Sequence, residues 1–71
     1  EPADILKSLA EKYASLVPNL EDGVKISWKD RWVHFRASNT EPIVRIFAEG
    51  SSRTVAASLV NEFKTEIQDL L

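Results

Sequence analysis

The residues best suited to chemistry lie in one run, Arg36-Ala37-Ser38-Asn39-Thr40-Glu41-Pro42-Ile43-Val44-Arg45. Two arginines bracket a hydroxyl-amide-hydroxyl series. A guanidinium is planar and permanently charged, and its fork of N–H donors matches phosphate oxygens two at a time. Ser38, Asn39 and Thr40 add side-chain donors, and successive loop N–H groups form an anion-binding concavity when a loop curls. Pro42 fixes its own φ and stiffens the loop exit. Glu41 is anomalous beside an anion; it fits if it points away and bonds loop N–H groups or an arginine. Such a cradle holds an oxyanion and breaks no bond. His34 is the single histidine, belongs to no catalytic triad, and reads as a solvated or domain-facing side chain. Taken singly, the arginines are better explained by surface pairs with Glu41 or Glu49. Ser38-Asn39-Thr40 taken singly is an ordinary polar loop.

Positioning these residues requires strands on either side. Val24, Ile26 and Trp28 alternate with Lys25 and Ser27, and Val33 and Phe35 alternate with Trp32, His34 and Arg36. This is the period-two pattern of strands over 24–28 and 31–36. A two-residue loop at Lys29-Asp30 sets Trp28 opposite Arg31, Ile26 opposite Val33 and Val24 opposite Phe35. All the large apolar residues except Trp32 then share one face, which a one-residue slip would mix. Pro42 opens a third strand through Glu49, where a missing N–H is tolerated. Its faces divide into Val44, Ile46 and Ala48 against Ile43, Arg45, Phe47 and Glu49.

Helices flank the strands. Ile5, Leu9, Tyr13 and Leu16 recur at helical spacing over 4–17, with Leu6 and Val17 widening the stripe. Asp4 is expected to cap this helix, and Pro18 to end it. Ser51 or Ser52 caps a second helix to about residue 69, with Val55, Leu59, Phe63, Ile67 and Leu70 on one side. The order helix-strand-strand-strand-helix predicts an α+β fold: an antiparallel sheet with both helices on one face. Trp28 is expected in the core; Trp32 and His34 fall on the face left open.

Composition narrows the function classes. The 71 residues are 44% apolar and 28% charged, with no cysteine. One small domain follows, of marginal stability, since a chain this size buries only about 60% of its unfolded surface. Disulfide frameworks, thiolate zinc sites and His-cluster metal sites are excluded, and no apolar run is long enough to span a membrane. The net charge of −2 is uneven. Residues 23–49 carry Lys25, Lys29, Arg31, Arg36 and Arg45 against Asp30, Glu41 and Glu49, while both flanks are acidic. A local anion site is compatible with this pattern; the broad basic field of a nucleic-acid binder is not. A chain with no Met, even at position 1, is expected to be a piece of a longer protein.

The segment Arg36–Arg45 resembles the phosphate-binding loop of the α-D-phosphohexomutases: the phosphoglucomutase, phosphomannomutase and phosphoglucosamine mutase enzymes. Their pattern, Arg-x-Ser-(Gly or Asn)-Thr-Glu-Pro-x-x-Arg, is matched at every fixed position. The flanks Asp22-Gly23-Val24-Lys25-Ile26, Trp32-Val33-His34-Phe35 and Arg45-Ile46-Phe47-Ala48-Glu49 extend the likeness over roughly residues 20–65. The resemblance implies the C-terminal, fourth domain of such an enzyme, with a fold like the TATA-binding protein. It also implies an activity, the exchange of hexose 1-phosphate and hexose 6-phosphate through a phosphoserine with Mg²⁺. This domain would hold the phosphate that is not reacting, through Arg36, Ser38, Asn39 and Thr40, with Arg45 as the closing arginine and Glu41 and Pro42 shaping the loop.

The phosphoserine motif, the Asp-Gly-Asp metal loop and the sugar-recognition loop are absent from this sequence, as is a strand that often precedes the first helix. The expectation is therefore binding without catalysis. No cofactor belongs in this domain; Mg²⁺ and the phosphoserine belong to others. The partners implied are a hexose phosphate and the remaining domains of a cytoplasmic enzyme, with neither nucleic acid nor membrane. The rival with the same element order is a double-stranded-RNA-binding domain. Such domains need a lysine-rich start to the second helix, and here Ser51-Ser52-Arg53-Thr54-Val55 offers one basic residue.

Overall fold

A computed structural model describes residues 2–38 and 40–70. Helix α1 (Pro2–Lys12) leads to strands β1 (Val24–Ser27), β2 (Trp32–Ala37) and β3 (Val44–Glu49), and helix α2 (Arg53–Leu70) closes the chain. The strands form one antiparallel sheet in the order β1-β2-β3. The α+β order read from the sequence is thus the observed one.

Register follows from the alternation. Val24 faces Phe35 and Ile26 faces Val33 across β1 and β2, and the Trp28 N–H donates to the Arg31 carbonyl at 2.8 Å. Lys29-Asp30 is therefore the two-residue loop. Val24, Ile26, Val33 and Phe35 are all buried and join Leu9 of α1 with Leu59 and Phe63 of α2 in one core. Both helices thus cover the same sheet face. Phe63 sits at the centre: its ring lies 5.2 Å from Phe35, edge-on, 5.6 Å from Tyr13 and 6.1 Å from Trp28. Trp28 is half-buried against this cluster.

Several boundaries differ from expectation: β1 ends at Ser27 rather than at residue 28, and β2 runs Trp32–Ala37 rather than 31–36. The first helix begins at Pro2, so Asp4 lies within its first turn rather than capping it. There its charge still meets the positive end of the helix dipole. The same helix stops at Lys12, not at residue 17. The chain tightens through Tyr13 into a 3₁₀ turn, Ala14–Leu16, then reverses at Val17 with φ 50. Pro18 disfavours the right-handed helical region for the residue before it, so the last turn must close another way. Leu16 and Val17 consequently leave the apolar stripe, and Val17 is 84% exposed. The third strand starts at Val44 rather than Pro42, because Ile43 gives its N–H to the Glu41 carbonyl at 2.8 Å. This is a three-residue turn centred on Pro42, whose ring presets the negative φ that such a turn needs.

At the start of α2 the cap is Ser52, whose Oγ accepts from the Val55 N–H at 3.2 Å. The two helices are also tied by a polar contact: Lys12 pairs with Glu66, and the Tyr13 hydroxyl donates to the same carboxylate at 2.7 Å. Burial, then the hydrogen bond to Glu66 and its charge, push the Tyr13 phenol above its ordinary range. Partial burial opposes ionisation of Glu66, but the hydrogen bonds from Lys12 and Tyr13 outweigh it and hold the carboxyl below its usual range.

Candidate functional site

Alternation along β2 and β3 sends Phe35, Val44 and Ile46 toward the helices, and Arg36 and Arg45 to the uncovered face. Arg36 and Arg45 are direct register partners. Like charges opposite each other on neighbouring strands are mutually unfavourable. Their pairing is therefore a local excess of positive charge that an anion would relieve.

The hairpin continues one step past the strands, where the Ser38 N–H donates to the Ile43 carbonyl at 3.0 Å. Thr40, Glu41 and Pro42 lie in the loop between the two strands. Arg36, Ala37, Ser38, Thr40, Arg45 and Phe47 line a cleft of about 280 Å³, many times the roughly 30 Å³ share of one water and roomy enough for a phosphate. Ser38 and Thr40 face each other, with their hydroxyl oxygens 3.4 Å apart and the Thr40 N–H 3.3 Å from Ser38 Oγ. The cleft thus joins Arg36, Ser38, Thr40 and Arg45, four of the predicted binding residues. Asn39 lies outside the described residues.

Two expectations about the loop change. Ser38 and Thr40 both spend their N–H groups inside the loop, so these two residues offer an anion their side chains rather than their backbone. Glu41 does point to solvent, but among the described residues its carboxylate bonds neither loop N–H groups nor an arginine. Its contribution to the loop is the backbone carbonyl that Ile43 caps.

The arginines do not pair with Glu41 or Glu49. Arg36 instead meets Asp22, with Nε 3.1 Å from Oδ2. Asp22 is brought there by an ordered connection. Asn19 and Lys25 exchange backbone hydrogen bonds at 2.9 Å, and the Glu21 N–H donates to Asn19 Oδ1 at 2.9 Å. Gly23 has φ 71 and lies so close to β2 that a Cβ would stand 2.1 Å from the Phe35 carbonyl oxygen. Only glycine fits that approach. His34, half-buried on the open face, sets its Nε2 2.5 Å from the Asp22 carbonyl, and its ring lies 6.4 Å from Phe47. It is a donor pinning the connection rather than a solvated side chain. Trp32 takes the Lys25 ammonium over its ring at 4.5 Å.

A second cleft, of about 450 Å³, also holds Lys29 and Arg31, but Asp30 and Glu62 line it with them and Asp30 pairs with Arg31. A groove of about 520 Å³ beside β3 is lined mainly by apolar side chains such as Ile5, Ile43, Ile46 and Ile67, with Lys64 among them. Among the described residues no group of His, Asp and Glu could hold a metal ion, and no helix is long and apolar enough to cross a membrane.

A family model described as the phosphoglucomutase/phosphomannomutase C-terminal domain matches residues 1–66. A phosphoglucosamine/phosphogalactosamine mutase of Sulfurisphaera tokodaii is 45% identical over 67 residues, covering 92% of this chain and 15% of its own length. A probable phosphoglucosamine mutase of Pyrococcus abyssi is 32% identical over 78 residues, covering 99% of this chain and 17% of its own length. A phosphoglucomutase/phosphomannomutase of Thermococcus kodakarensis is 50% identical over 48 residues, covering 68% of this chain and 10% of its own length. The chain thus spans only a small fraction of the relatives it matches. Element order alone does not separate a mutase domain from a double-stranded-RNA-binding one; the family match does.

Proposed function

This chain belongs to the phosphoglucomutase/phosphomannomutase C-terminal domain family, and on that premise we propose that its arginine cleft grips the phosphate of a hexose phosphate. The observation that carries the reading is the cross-strand pair Arg36–Arg45 opening onto Ser38 and Thr40. Two guanidinium groups and two hydroxyls supply donors for a phosphate dianion and cancel its charge. Asn39, between the hydroxyls, is assigned to the same grip by the motif.

The parent is an intramolecular phosphotransferase exchanging hexose 1-phosphate and hexose 6-phosphate, and this chain is its C-terminal domain. The phosphate held here is the one not reacting. Energy from such a remote group fixes the orientation of the reacting end and raises turnover rather than affinity alone. Among the described residues no group of His, Asp and Glu could hold Mg²⁺; the reading assigns metal and phosphoserine chemistry to the other domains of the parent. The cleft reads phosphate, a feature every hexose phosphate shares. The names of the relatives keep glucosamine phosphate as a candidate beside glucose and mannose phosphates.

One domain supplies part of a pocket, so isolated affinity is expected near millimolar, about −4 kcal/mol. Amide spectra recorded while adding glucose 6-phosphate should shift at residues 36–45, and a short RNA duplex should leave them in place. Arg36→Ala should abolish most of the response and lower kcat/KM in the full-length enzyme, with the fold retained. Loop amides unmoved at tens of millimolar sugar phosphate would refute the cradle.

A further inference from the structure

We propose that Asp22 is a positioning residue for the phosphate grip, holding Arg36 from the side so that its terminal nitrogens face the cleft. The inference rests on the phosphate reading above and adds a residue from outside the loop motif. Asp22 Oδ2 approaches Arg36 at Nε. A guanidinium has two usable donor edges, and occupying the Nε side leaves the Nη end for a bidentate contact. A long arginine side chain otherwise spends rotamer freedom when it binds. Asp22 meets part of that cost beforehand.

The carboxylate is itself well placed. His34 holds the Asp22 backbone carbonyl at 2.5 Å, and Gly23 packs directly on the Phe35 carbonyl. Neither restraint involves the Asp22 side chain, so Asp22→Asn removes the charge and leaves the connection anchored.

The sign of the effect is diagnostic. A carboxylate beside a phosphate site repels the dianion; if that were its whole influence, Asp22→Asn would tighten binding. Positioning predicts the opposite. Titrating the 71-residue chain with glucose 6-phosphate, followed by loop amides, should give a dissociation constant about two- to fivefold higher for Asp22→Asn, the range expected of an exposed ion pair. Asp22→Glu should restore part of the loss, and amide dispersion should be unchanged. Equal or tighter binding by Asp22→Asn, with the normal chain responding at residues 36–45, would overturn the inference and leave the phosphate reading standing. No response from the normal chain would sink both. A second measurement needs no variant: the Arg36 Nε–H resonance should stand apart from those of Arg45 and Arg53 in the free protein. Coincidence of the three would overturn the inference.

Discussion

Replacing Arg45 with glutamine should stabilise the free domain, and the gain should vanish in salt. Arg45 and Arg36 are register partners on the same sheet face, and the hairpin that joins them leaves them little freedom to part. A like-charged pair directly opposite costs about 0.2–1 kcal/mol. Asp22 lies 3.1 Å from Arg36 and offsets part of this, and the Arg36 side chain is 51% exposed, so water screens more. The lower half of the range is then appropriate, about 0.2–0.5 kcal/mol. For a domain of this size 1 kcal/mol moves Tm by about 4–8 °C, so the shift should be about 1–4 °C. Thermal melts at about 10 mM ionic strength, where the screening length is near 30 Å, should resolve it. At 1 M NaCl the length falls to about 3 Å and the two proteins should melt together. Phosphate should reverse the ranking: at ten times its dissociation constant it adds about 1.4 kcal/mol to a protein that binds it, and Arg45→Gln should receive much less. Lower Tm for Arg45→Gln at low salt, or a gain that survives 1 M NaCl, would refute the reasoning.

Three further outcomes follow from the packing. Gly23→Ala should cost more than about 2 kcal/mol by denaturant unfolding, because a Cβ at positive φ would strike a strand carbonyl. Val17→Asn should raise Tm: a β-branched residue at φ 50, 84% exposed, carries strain that burial does not repay, and relief of about 1 kcal/mol is expected. Glu66→Gln should remove the acid arm of the pH dependence and weaken the alkaline one, where burial of Tyr13 is the larger cause. Glu66 is held low in the fold, so its contribution is complete above the ordinary glutamate value of about 4.3 and is lost as pH falls through the folded value. Tyr13 is held high, so its contribution is complete below the ordinary phenol value of about 10 and is lost as pH rises through the folded value. Urea melts at a series of pH values check both arms; unchanged curvature in the variant would count against the Tyr13–Glu66 account.

What the chain reveals on reading depends on how local the cause is. The pairing of Val24 with Phe35 and Ile26 with Val33 was legible because alternation and a two-residue loop leave one register that buries the apolar set. A serine cap at 51 or 52, which the structure places at Ser52, and the core positions Leu9, Leu59 and Phe63 were legible for the same kind of reason. The end of α1 was not: Leu16 and Val17 continue the apolar spacing, and only the geometry forced by Pro18 throws them outward. The start of β3 depended on Ile43 choosing the Glu41 carbonyl over the ladder, a competition between two backbone partners that composition cannot weigh. For the proposed grip, the motif names Arg36, Ser38, Asn39, Thr40 and Arg45, and four of these, Arg36, Ser38, Thr40 and Arg45, line one cleft. Asp22 was missed as a partner because its approach is a tertiary event. The signal available was Asp22-Gly23 itself, a turn pair immediately before a strand whose predicted partner ends in Arg36.

The described groups of the cleft all belong to one hairpin. Arg36 and Ser38 come from one arm, Arg45 and Phe47 from the other, and the arms are stitched by a continuous ladder from Trp32–Glu49 to Ala37–Val44. Such a clamp has no jaw that opens independently of the sheet; parting the arginines would mean unzipping strands against the core. A bound phosphate would therefore escape by local side-chain motion or by withdrawal of the whole hairpin. In a multidomain enzyme the second route is a rigid-body movement, on the microsecond-to-millisecond scale of domain motions. Residence time would then be governed by the surfaces on which this domain pivots, and substitutions far from the arginines would alter release without altering the grip.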